Sequence, residues 1–183
     1  MNMKFKRLFD VFFSIMVLLF LGWLIAICYS IVSVETQSNG LFFQKRIGRY
    51  GKKFTILKLK TIHPKTGIVT FFGAFFRKYK IDELPQFWNV LISEMSVVGP
   101  RPDIPGYYDQ LVGEQRKILE LKPGITSEAS LKYSKEDEVL RVQKNPLKYN
   151  DSIIFPDKVK MNLHYYYTQS FWGDLNIILK TLF

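Results

Sequence analysis

The chain has 183 residues, enough for one domain with a sizeable core and short for two. It carries 26 Lys and Arg against 16 Asp and Glu, and up to residue 80 the only acids are Asp10 and Glu35. That asymmetry points the first half at an anionic partner, whether lipid head groups, phosphates or nucleic acid, and the single cysteine, Cys28, excludes an intrachain disulfide.

Residues 11–34, VFFSIMVLLFLGWLIAICYSIVSV, carry no charge, and about 20 apolar residues suffice to cross a bilayer. A cleaved signal peptide fits poorly: the run is too long for its apolar region and no A-x-A-like site follows. Both flanks are basic, with Lys4, Lys6 and Arg7 before the run and Lys45, Arg46, Arg49, Lys52 and Lys53 after it. Basic flanks favour the cytoplasmic side, so both ends want the same face. A re-entrant helix that bends near Gly22 satisfies both, each arm of about 12 residues reaching roughly 18 Å. One straight anchor is the alternative.

Past the SNG turn, LFFQKRI and KFTILKLKTI read as two strands of a hairpin around GRYG. Alternation puts Lys58 and Lys60 on one face, where two ammonium groups suit a phosphate, or simply a solvated strand face. TFFGAFFRKYK follows with Phe71, Phe75 and Tyr79 at helical spacing and cations crowding its end, which suits either a helix lying in the head-group region or an ordinary core helix. KIDELPQFWNVLISEM then reads as a helix with Pro85 in its first turn and Asp82-Glu83 at its N-terminus. Asp82 there reads as an N-cap or as something chemical. In GPRP, prolines on both sides pre-order Arg101. Residues 127–160 are charged and read as a surface excursion facing the sugar or forming a lid. Near the C-terminus Asp174 is positioned to cap a short apolar helix, with tyrosines and a tryptophan at interfacial depth. His63 and His164 are isolated, with no second metal-ligand type at ligand spacing.

Two carboxylates between Arg77 and Arg101 make a mixed-charge pocket. Carboxylates repel phosphate unless a divalent cation intervenes, and Mg²⁺ takes one or two carboxylates plus phosphate oxygens. One acid can then hold metal while its neighbour attacks phosphorus. Nearby cations are expected to hold the attacking acid ionised.

KRLFD, FFQKRIGRYGKKFTILKLKT, IDELPQFWNVLISEMSVVGPRP, LKPGIT and DLNIILKT together resemble the bacterial polyprenyl-phosphate sugar-1-phosphate transferases, in order and through most of the chain. The resemblance implies a monotopic protein of the bacterial cytoplasmic membrane. Its active site faces the cytoplasm, and it moves a sugar 1-phosphate from a UDP-sugar to undecaprenyl phosphate with release of UMP. Carried onto this sequence, it implies Asp82 as nucleophile, Glu83 as the Mg²⁺ ligand beside it, Arg77 and Arg101 on phosphate, and Lys60-Thr61 near the site. Two departures stand out. Many members have Ser-Pro where this chain has Gly22-Trp23, and the stretch after PGIT lacks the family's Gln-containing run and Asn-Gly-Arg.

The expected fold is a helix-rich α+β unit. Residues 1–36 form the membrane-embedded helix, and residues 37–183 form a catalytic domain with interfacial helices and a small β-hairpin. Direct transfer without a covalent intermediate on the same scaffold, and a non-catalytic module for anionic membrane lipids, are the alternatives. No nucleic-acid module is recognisable. Self-association into a homo-oligomer, the sugar and the glycan pathway are not legible.

Overall fold

A computed structural model describes residues 3–182. Helix α1 spans Met3–Thr36, with no proline inside it and Gly22 helical like its neighbours. Its buried positions are Lys6, Asp10 and Ser14 in the first half and Cys28, Val32 and Thr36 in the second, a spacing of four that marks one face. Leu19, Phe20 and Trp23 on other faces are 64–70% exposed. Both halves dock on the same domain. Phe9, Phe13, Val17 and Leu18 pack against the core of Val90, Met95 and Val97, and Leu24 and Ile31 pack beside Cys28 and Val32 against Leu59 and Phe76.

The charged residues of KRLFD fix how α1 lies. Lys6 forms a buried ion pair with Asp174, which also accepts a 2.6 Å hydrogen bond from the Tyr165 hydroxyl. Arg7 donates to the carbonyls of Val90 (2.6 Å) and Leu91 (2.8 Å), the last turn of helix α3, Gln86–Leu91. That is a cation on orphan C-terminal carbonyls. Asp10 accepts from the Ser96 hydroxyl (2.9 Å) and the Val97 amide (2.9 Å).

The hairpin forms as the alternation predicts. Strand β1 is Leu41–Ile47 and β2 is Lys53–Leu59, antiparallel, from Leu41 opposite Leu59 to Ile47 opposite Lys53. The turn between them holds Tyr50 at φ 60° and Gly51 at φ 74°. A second, parallel pair, β3 (Ser96–Val98) with β4 (Gly124–Thr126), has no counterpart in the sequence reading. Two glycines allow it: a Cβ on Gly124 would fall 2.1 Å from the Gly99 nitrogen, and one on Gly99 would fall 2.4 Å from the Lys122 carbonyl oxygen.

Helix α2, Phe71–Lys78, precedes α3. Residues 127–160 lie mostly at the surface, as expected, and are largely helical. They contain α4 (Glu128–Lys132), α5 (Glu136–Arg141), α6 (Pro146–Tyr149) and the start of α7 (Phe155–Thr168). Ion pairs Lys132–Asp157 and Glu136–Lys158, each 2.6 Å, tie them together. Helix α8 is Phe171–Leu182. Its first turn is bonded by Ser170, whose hydroxyl accepts from the Gly173 amide (3.1 Å), so Asp174 is not the cap the sequence suggested. It is the buried partner of Lys6.

Gly124→Ala is expected to lower stability by about 1–3 kcal/mol through backbone overlap, read as a reduced melting temperature of the detergent-solubilised chain. Asp174→Asn leaves the Lys6 ammonium buried without its charge partner and is expected to cost about 3–5 kcal/mol. Adding Lys6→Met to it should restore most of that loss.

Candidate active site

The threonine before α2 starts the site. The Thr70 hydroxyl accepts from the Gly73 amide at 3.1 Å and caps the helix. α2 ends at Lys78, and Lys80 takes a left-handed conformation, φ 58°. That reversal drops Ile81–Glu83 into a single 3-10 turn with both acids buried. The expected N-cap is not there. α3 starts only at Gln86 with no side-chain cap, and Asp82 Oδ1 is buried without any hydrogen-bond partner. The helix also stops at Leu91 instead of reaching Met95, because Ser93 turns left-handed (φ 75°) and the amides of Glu94 and Met95 turn back to the Asn89 carbonyl.

Asn89, fully buried, sets the distance between the hairpin and the acids. Its side chain accepts from the Leu57 amide (3.1 Å) and donates to the Thr55 carbonyl (2.9 Å) and to Glu94 (2.7 Å). Nothing in the sequence marks it apart from a polar residue on an apolar helix face.

With β2 pinned there, Lys58 reaches Glu83 Oε1 at 2.7 Å. Arg101 grips the same carboxylate with two bonds, 2.5 Å to Oε1 and 3.2 Å to Oε2. The turn that carries Arg101 is held by the Gly124 amide, which donates to the Pro100 carbonyl at 2.8 Å. Burial works against the Glu83 charge, yet Arg101 and then Lys58 outweigh it and hold the carboxyl far below the usual range. Asp82 moves the other way. Burial raises its carboxyl first and the Glu83 charge adds to it, while Lys58, Lys80 and Arg77 pull less strongly. The nearby cations thus act on Asp82 in the expected direction, but burial and the Glu83 charge outweigh them.

Arg77 donates from Nε to the buried Thr61 hydroxyl at 2.8 Å, so Thr61 orients Arg77. Lys60 turns instead to the Ser38 hydroxyl (2.9 Å), so Lys58 and Lys60 do not form the joint phosphate face that alternation suggested. Asp82, Glu83, Arg101 and Lys58 thus come together, with Arg77 and Thr61 paired beside them and Lys60 at the margin. No hydrogen bond among the described residues joins Asp82 to either arginine. Glu136, from the segment after β4, lies close enough to act on the charges of Arg101 and Asp103. His63 accepts from the Lys65 and Thr66 amides (3.3 and 3.4 Å), a turn-capping role.

A two-carboxylate set suits Mg²⁺, and these residues fit it: Asp82 Oδ1 has no partner and Glu83 Oε2 accepts only the longer Arg101 bond. On the elements before and after the acid pair, aromatic side chains stay in solvent: Phe71 is 81% exposed and Phe75, Tyr79 and Trp88 are about half exposed.

The whole chain, residues 1–183, matches the family model described as bacterial sugar transferase. Similar proteins include the UDP-glucose:undecaprenyl-phosphate glucose-1-phosphate transferase of Klebsiella pneumoniae, 31% identical over 198 residues, covering 100% of this chain and 40% of that protein. The galactosyl transferase CpsE of Streptococcus agalactiae serotype III is 30% identical over 201 residues, covering 97% and 41%. The uncharacterized sugar transferase EpsL of Bacillus subtilis is 31% identical over 187 residues, covering 97% and 85%. The chain spans about two fifths of the length of the first two.

The two acids should respond oppositely to pH. The stability that Glu83 contributes is present above the ordinary glutamate range and is lost as pH falls through its depressed value. Asp82, raised in the folded state, favours folding at low pH and loses that contribution as pH rises through its folded value. Glu83→Gln removes the repulsion and frees two cations, so the Asp82 carboxyl is expected to titrate lower than in wild type by carbon-13 NMR. An unchanged or higher value contradicts the charge assignment.

Proposed function

The chain belongs to the bacterial sugar transferase family, and from that premise we propose that it moves a sugar 1-phosphate from a UDP-sugar to undecaprenyl phosphate through a phosphosugar-aspartate on Asp82. The observation that carries this is the division of labour within the acid pair. Glu83 is clamped by Lys58 and Arg101, whereas Asp82 keeps a buried, unpartnered oxygen beside them. An oxygen without a hydrogen bond has no partner to give up before it attacks.

In the first half-reaction an Asp82 carboxylate oxygen attacks the β-phosphorus of the donor. The bond from that phosphorus to the bridging oxygen breaks, and UMP leaves with that oxygen. In the second, an oxygen of undecaprenyl phosphate attacks the same phosphorus. The phosphorus–Asp82 bond breaks, the carboxylate is regenerated and the lipid carries a diphospho-sugar. Arg77, aimed by Thr61, and Arg101 hold the transferring phosphoryl oxygens. Lys58 keeps Glu83 ionised throughout. Mg²⁺ held by Glu83 would supply positive charge against the donor diphosphate. Lys60 secures the end of the hairpin through Ser38 and acts from there.

The same reading puts the protein on the cytoplasmic face of the bacterial inner membrane. Residues 1–36 are the embedded helix and 37–183 the catalytic domain. Both basic flanks of α1 prefer that face, and both of its halves pack on the one domain, which supports a helix whose two ends stay on one side, although it runs through Gly22 without the break the sequence reading placed there. Exposed aromatics on α2, and Trp172 at 78% exposure on α8, would then lie at head-group depth, where the acceptor phosphate resides. The raised Asp82 carboxyl favours one second reading, in which Asp82 takes a proton or orients the acceptor for direct transfer. That route releases no UMP until acceptor is present.

A panel of UDP-sugars offered with undecaprenyl phosphate and Mg²⁺ is expected to yield UMP for at least one donor. Asp82→Asn should lower the rate on the order of 10⁴-fold or more. Thr61→Val should cost roughly 10–100-fold in kcat/KM by loosening Arg77. No UMP from wild type with any donor contradicts the proposal.

A further inference from the structure

A cavity of about 370 Å³ opens under the first turns of α1, and it shares no lining residue with the acid pair and its cations. Lys4, Lys6, Arg7, Arg49 and Lys122 line it, with Asp10 the one acid in the wall. Lys6 is already matched by Asp174. Asp10 is held by the Ser96 hydroxyl and the Val97 amide. Arg7 uses two of its N–H groups on the carbonyls that end α3, and Arg49 uses Nε on the Glu120 carbonyl (2.7 Å) with its guanidinium 4.6 Å above the Tyr50 ring. Among the described residues none of Arg7, Arg49 and Lys122 forms an ion pair with a carboxylate. Burial, then Arg7 and also Arg49, press the Lys122 ammonium toward its neutral form, with only Asp10 opposing. Three cations from three separate elements therefore face one pocket whose own acid does not balance them.

The pocket borders apolar surface. Met3, Leu8 and Phe12 on α1 are 46–66% exposed. Phe5 packs edge-on against Phe171 (5.1 Å between ring centres), which meets the largely exposed Trp172. Aromatic residues beside cations at the edge of an apolar helix mark the level of lipid head groups. We propose that this cavity binds the phosphate of an anionic phospholipid head group, with Arg7, Arg49 and Lys122 around the phosphate and the acyl chains along the exposed side of α1. The site fixes the N-terminal half of α1 at the lipid surface, away from the reacting groups.

The test uses the full chain in a neutral detergent, with melting temperature read against added phosphatidylglycerol, phosphatidylcholine or inorganic phosphate. Phosphatidylglycerol is expected to raise the melting temperature, and phosphatidylcholine at the same mole fraction is not. Arg49→Ala with Lys122→Ala should abolish most of the rise. Lys122→Gln alone, the milder change should the double variant fail to fold, should weaken the apparent affinity roughly fivefold. Equal responses to the two lipids, or a phosphatidylglycerol response that survives Lys122→Gln unchanged, overturns the proposal. So does a full shift from millimolar inorganic phosphate, which would make the occupant a soluble phosphate instead of a lipid.

Discussion

Glu83 sits between the Lys58 ammonium and the Arg101 guanidinium, and the geometry of the site follows from that clamp. Buried charges persist only when paired. Lys58 reaches Glu83 because Asn89 pins β2 to α3, and Arg101 reaches it because Gly99 and Gly124 let two backbones touch. Both supports lie outside the acid pair, yet each decides where a cation ends up. Once Glu83 has taken these cations, burial and the Glu83 charge outweigh the pull of Lys58, Lys80 and Arg77 on its neighbour, and the two adjacent carboxylates acquire opposite character.

The N-terminal helix is bound into the same construction. Arg7 closes the end of α3, whose beginning follows the two acids, and Asp10 holds β3, which leads through Gly99 and Pro100 to Arg101. Two charged residues of the first turns of α1 thus brace the two segments that deliver the site. The buried Lys6–Asp174 pair adds α8 to the assembly. Such pairs add little net stability but are costly to break singly, which suits them to fixing one orientation of a helix whose remaining surface is almost uniformly apolar.

Much of this was legible where local rules decide the outcome. Alternating residues and the GRYG turn pointed to the hairpin, although its second strand stops at Leu59, short of Ile62, and TFFGAFFRKYK does contain a helix, Phe71–Lys78. The charge constellation around Asp82-Glu83 was visible from residue types alone. What stayed hidden depends on contacts far apart in the chain. β3 and β4 have three residues each and pair only because two glycines, 25 positions apart, let the backbones close. Asp82 and Asp174 each resembled a helix cap, and only the folded chain shows that one lacks a partner and the other binds Lys6. Which cation serves which acid was equally out of reach, since Lys58 and Lys60 differ only in what the fold places opposite them.

The account turns on whether Asp82 becomes bonded to phosphorus. The most direct measurement is peptide-resolved mass spectrometry of the full chain after exposure to an accepted UDP-sugar and Mg²⁺ with the lipid acceptor withheld. A mass increase of one phosphosugar on the peptide carrying Asp82, removed when undecaprenyl phosphate is added, is the predicted result. An unmodified peptide, under conditions where the same preparation turns over once acceptor is supplied, would contradict it.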